Sequence, residues 1–109
     1  MIKAQFINNG GVLCGFEISG HAEYADKGKD IVCAGVSSAV QMTANTIIEV
    51  IGAGAYISRK GEKITLRLLR CSDKAKITNA RAVIKGLRLH LFILSTQYQG
   101  TISIEDSEV

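Results

Sequence analysis

In the stretch GHAEYADKGKDIVCAGVSSAV, residues 20–40, a thiol at Cys33 follows an imidazole at His21 by 12 positions. His21 leads into a charged, glycine-bearing segment, and Cys33 closes that segment and opens an apolar run. A thiol in the first turn of a helix faces unpaired backbone N–H groups and the positive end of the macrodipole. There it is expected to titrate below its free value of about 8.5, and the thiolate is the nucleophilic form. The backbone N–H groups of Cys33 and Ala34 could also receive the oxyanion that forms when a thiolate attacks a carbonyl. His21 could partner the thiolate and then give a proton to a leaving amine, which is the minimal equipment for acyl transfer.

Each of these residues has a plainer reading. Most free cysteines are small buried hydrophobes, and His21 could be a surface residue at a strand end. The other imidazole, His90, stands among Leu87, Leu89, Leu91 and Phe92, and reads as a satisfied, half-buried helix histidine. Asp30 could cap the helix by accepting from the N–H groups of Val32 or Cys33. It could instead orient His21 as a third member of the group; capping is the favoured reading. Ser37, one helical turn after Cys33, lies on the same face. Its hydroxyl could bond near the thiol or return to the backbone.

Metal chemistry fits poorly. His21-Ala22-Glu23 matches the H-x-E of zinc deaminases, but that signature continues with a P-C-x-x-C, and this chain has no proline. A structural zinc built from Cys14, Cys33, Cys71 and His21 would lack the paired ligand spacing such sites use. No metal and no cofactor are expected.

A scaffold must bring these groups together. Residues 1–9 read as a strand, and the NNGG that follows is a hairpin signal, because Asn and Gly tolerate positive φ. A second strand alternates Val12, Cys14, Phe16 and Ile18 onto one face and ends at Gly20, just before His21. From Cys33 the period changes: Val36, Val40, Thr43, Ile47 and Ile51 form the stripe of a helix, which Gly52 and Gly54 can stop. AYISRKGEKITLRLLR reads as a hairpin around Lys60-Gly61, with Ile64, Leu66 and Leu68 facing one way. Ser72 is the expected cap of a second long helix with Ile77, Ala80, Ile84, Leu87 and Leu91 as its seam. Gly100 stops that helix, and TISIE closes the chain as a short strand. The order ββαββαβ predicts an α+β fold. It is a two-layer sandwich in which two long helices cover a mixed or antiparallel sheet of about five strands, in a single domain spanning residues 1–109.

The bulk numbers narrow the classes. Apolar residues make up 47% of 109, enough for a core and against disorder. No uninterrupted apolar run approaches the roughly 20 residues that span a bilayer. MIKAQFINNGG lacks the parts of a signal peptide, so a cytoplasmic location with reduced thiols and no membrane partner is expected. The net charge of +3 hides an uneven distribution: ten of the thirteen Lys and Arg fall within residues 59–88. That half could meet ribosomal RNA, and a non-catalytic RNA- or ribosome-binding module is the alternative to an enzyme. Against the module, aromatics are only 6% and do not interleave with the basic residues.

The stretch from Gly20 to Val40 resembles the signature of the Prp family, ribosomal-processing cysteine proteases of Firmicutes and related bacteria. That signature is a GHA, a variable glycine-containing loop, then DIVCAGVS or a close variant. The resemblance covers about a fifth of the chain in sequence. It implies a homodimeric cysteine endopeptidase that removes a short apolar N-terminal extension from large-subunit ribosomal protein number twenty-seven during ribosome assembly. It places the catalytic pair on His21 and Cys33, and supporting roles on Asp30, Ser37 and Gly20, the last letting the loop swing. The loop from Ala22 to Lys29 is then expected to be loose without substrate, and to bring His21 to Cys33 when substrate orders it.

Overall fold

Gly10 and Gly11 both take positive φ, 60° and 79°, and fold strand β1 (Ile2–Asn9) back onto strand β2 (Val12–Ser19). The computed structural model describes residues 1–26 and 28–109; Lys27, inside the loop expected to move, lies outside the described residues. After β2 come helix α1 (Ile31–Asn45) with a π-helical continuation (Thr46–Ile51), then strands β3 (Ala55–Lys60) and β4 (Lys63–Leu68). Helix α2 (Lys74–Gln97) and strand β5 (Ile102–Glu108) complete the chain. The sheet runs β3-β4-β2-β1-β5. Its pairs are antiparallel except β1 with β5, which is parallel because the length of α2 intervenes before β5. The expected α+β architecture and element order are those observed.

One face of the sheet carries the core. Phe6 and Phe16 are cross-strand partners, both fully buried, with ring centroids 6.3 Å apart, and Leu66 pairs with Phe16 from the next strand. Val32, Val36, Val40 and Ile47 from the first helix and Ala80, Ile84, Leu87 and Leu91 from the second are buried in the same cluster. On the other face stand Lys3, Glu17, Thr65 and Arg67, as the two-residue period of a strand requires.

Three details differ from the sequence reading. In β2 the predicted alternation breaks at a bulge: Ile7 pairs with Gly15 but Asn8 with Leu13, which leaves Cys14 as the extra residue. Leu13 therefore enters the core while Val12 is exposed. The cap of α2 is Asp73, not Ser72; its carboxylate accepts from Ala75 N at 3.0 Å and Lys76 N at 3.2 Å. Both residue types cap well, so composition alone does not choose between neighbours. His90 is exposed rather than half-buried, because it shares the outer side of α2 with Leu89 and Phe92. The helical run Ile31–Ile51, 21 residues, is long and apolar enough by length and composition to cross a bilayer. It ends where the stripe up to Ile51 and the stop at Gly52 predict, Ser37, Gln41 and Asn45 leave it no uninterrupted apolar run, and Val32, Val36, Val40 and Ile47 lie in the core.

Candidate active site

Gly20 leaves β2 with φ 87°, and a Cβ there would lie 2.6 Å from the Met1 carbonyl oxygen. Glycine is thus required on two counts, conformation and space. The turn at Gly20 sets where the next residue, His21, leaves the strand.

Asp30 is the N-cap of α1, which makes Cys33 the third residue of the helix. Its Oδ1 accepts from Val32 N at 2.9 Å and Cys33 N at 3.0 Å. Its Oδ2 accepts from Tyr24 N at 2.9 Å and Ala25 N at 3.2 Å. Burial pushes this carboxyl up, but the four N–H donors outweigh burial and hold it below the ordinary carboxylate range. One side chain therefore starts the helix and ties down the loop before it. With its acceptors so engaged, Asp30 caps and does not orient His21.

At Cys33 the half-buried sulfur accepts from Ala22 N at 3.3 Å and lies 4.0 Å from His21 Nδ1. The opposite ring nitrogen, Nε2, contacts the carboxylate Oε1 of Glu62 in the β3–β4 turn. The imidazole stands beside the thiol. The described residues of the loop make further contacts: besides the Asp30 bonds, Tyr24 packs edge-on against Tyr98 at 5.3 Å, and Lys29 N donates to Asp26 O at 2.9 Å.

The expected oxyanion donors are not free. Cys33 N is bonded to the Asp30 carboxylate, and Ala34 N donates to the Asp30 backbone oxygen at 3.1 Å. A carboxylate cap also offsets the positive end of the helix dipole. The N–H group that does face the sulfur is that of Ala22.

Two concavities meet at His21 and Cys33. One, of about 280 Å³, is floored by Ile2, Ile18, Val36, Val40 and Ile64, with Arg59, Glu62 and Lys63 on its rim. The other opens toward Glu23, Asp26, Gly28 and Ala34. Ser37, exposed one turn after Cys33, borders both. Among the described residues no group of three His, Cys, Asp or Glu side chains is placed to hold a metal ion.

Glu62 escaped the sequence reading. Its neighbourhood follows from strand register: Ile18 pairs with Ile64, and continuing that antiparallel register sets Glu62 across from Gly20, beside His21. The turn at Lys60-Gly61 was legible, but the pairing of β4 with β2 was not.

The family model for cysteine protease Prp matches residues 1–103. The chain is 28% identical over 94 residues to the ribosomal processing cysteine protease Prp of Bacillus subtilis (strain 168), covering 84% of each protein. It superposes with a TM-score of 0.86 at 23% identity on the essential ribosomal processing protease Prp from S. aureus, crystallised with a covalently linked product peptide. That match covers 98% of this chain and 100% of the other. A crystal structure from Streptococcus mutans matches with a TM-score of 0.80 at 22% identity, over 100% of this chain and 99% of the other. These structural likenesses establish the shared fold.

Proposed function

The chain belongs to the cysteine protease Prp family and is a cysteine protease, and from that premise we propose that Cys33 and His21 are its reacting pair. The observation that carries the proposal is the 4.0 Å approach of His21 Nδ1 to Cys33 Sγ at the mouth of an apolar cavity. The Cys33 proton passes to His21, and the sulfur attacks the scissile carbonyl carbon. The carbonyl π electrons move to oxygen, and the backbone N–H of Ala22, which donates to Cys33 Sγ at 3.3 Å, would have to leave the sulfur to meet that charge. The carbon–nitrogen bond then breaks as His21 returns its proton to the leaving amine, which leaves a thioester on Cys33. Water attacks the thioester while His21 accepts its proton, and the thiol is restored.

The proposed substrate is large-subunit ribosomal protein number twenty-seven, cut in the cytoplasm to remove a short apolar N-terminal extension. The aliphatic floor of the cavity supports this, since it suits an apolar side chain next to the attacking sulfur. A homodimer is proposed as the working form; α2 exposes Leu89, Phe92 and Ile93, which stand three and four residues apart on one face and could meet a second copy. Contact with ribosomal RNA would fall to Arg70, Lys74 and Arg81, which border one concavity with no acidic residue among its lining.

The test is product mass after incubation with peptides spanning the extension junction. The wild-type protein is expected to cut one bond, and Cys33→Ala and His21→Ala none. Equal cutting by either variant would overturn the assignment.

A further inference from the structure

We propose that Glu62 is a positioning residue that fixes the tautomer and orientation of His21; this rests on the reading of Cys33 and His21 as the reacting pair. An imidazole at a strand end is free to rotate about two side-chain bonds, and the His21 side chain is 44% exposed. Packing alone does not hold it. Its two nitrogens have different partners, Cys33 Sγ facing Nδ1 and Glu62 Oε1 facing Nε2.

A carboxylate only accepts, so contact with Glu62 requires the proton on Nε2. In the neutral ring Nδ1 is then the bare nitrogen, and it faces the thiol whose proton it must take. Once that proton has moved, the imidazolium lies between the sulfur and a carboxylate that favours its charge. Asp30, the other candidate for this role, is engaged by four backbone N–H groups. Lys63, which could compete for Glu62, is drawn to Glu17 at 3.2 Å.

The backbone fixes where Glu62 stands. Gly61 takes φ 60° in the two-residue turn between Lys60 and Lys63, which are cross-strand partners. The Glu62 side chain is 55% exposed, so solvent weakens the pair. The effect is therefore set at about tenfold in kcat, far short of the ~10⁴ lost when the buried aspartate of a serine triad is made an amide.

Steady-state cleavage of the extension peptide by wild type, Glu62→Gln and Glu62→Ala tests this, together with nitrogen NMR of the His21 ring. The His21 signal is assigned by its loss in His21→Ala. Expected is a kcat about tenfold lower in Glu62→Ala and less reduced in Glu62→Gln, which keeps an acceptor, with KM within about twofold in both. The wild-type ring is expected to hold its proton on Nε2, and the Glu62→Ala ring to mix tautomers. Wild-type kcat in Glu62→Ala overturns the proposal, and so does a lowered kcat with an unchanged ring spectrum, which would mark a merely structural loss. Failure of the wild type to cut, or cutting by Cys33→Ala, overturns the underlying pair instead.

Discussion

Asp30 joins the start of α1 to the loop that precedes it, and its charge matters to both. Asparagine in its place would keep one acceptor for the helix cap but turn a donor toward Tyr24 N or Ala25 N, where an acceptor is needed. Because the folded carboxyl titrates below its unfolded value of about 3.9, the folded state binds fewer protons. The stabilisation is complete above that value and is lost as pH falls through the folded one. Unfolding midpoints measured from about pH 6 down to about pH 2 should fall more steeply for wild type than for Asp30→Asn. Parallel curves would show that Asp30 is not so engaged. Cys33→Ala, by contrast, should remove activity while keeping the wild-type unfolding midpoint within a few degrees. The side chain is half-buried at a helix start, and alanine favours helix.

At the scale of elements, the turn at Gly20 and the β2–β4 register carry the site. Gly20→Ala forces a Cβ against the Met1 carbonyl at positive φ, and should cost about 1–3 kcal/mol in chemical denaturation. It should also lower kcat/KM, since His21 is the next residue; unchanged values of both would contradict that role for the turn. The ion pair between Arg88 and Asp106 joins α2 to β5, with the hydrogen bond raising the guanidinium and lowering the carboxyl. Both side chains are well exposed, so Arg88→Ala should cost no more than about 1 kcal/mol by the same measurement. The helices were legible because a buried stripe repeats at the helical period whatever lies opposite it. The bulge at Cys14 and the parallel seat of β5 were not, since each is decided by pairing with other strands, and the π-helical end of α1 widens a turn without changing the stripe. His21, Asp30 and Cys33 were legible because they share one short word. Glu62, 41 residues from His21, becomes a neighbour only once the sheet is assembled.

For the whole molecule, two helices and one sheet face make a core while the outer side of α2 keeps Leu89, Phe92 and Ile93 exposed. If a second copy covers them, Phe92→Glu should shift sedimentation from dimer to monomer with the fold intact, as burying an unpaired charge at an interface is unfavourable. A wild-type monomer would remove the dimer from the account. The proposed reacting pair, Cys33 and His21, meets within one chain at the junction of β2, α1 and the β3–β4 turn. The most direct test of that claim is the mass of the products formed from the extension peptide by wild type and by Cys33→Ala, side by side. One new amino terminus after the apolar extension with wild type, and intact peptide with Cys33→Ala, is the predicted result. Matching products from both proteins would contradict it.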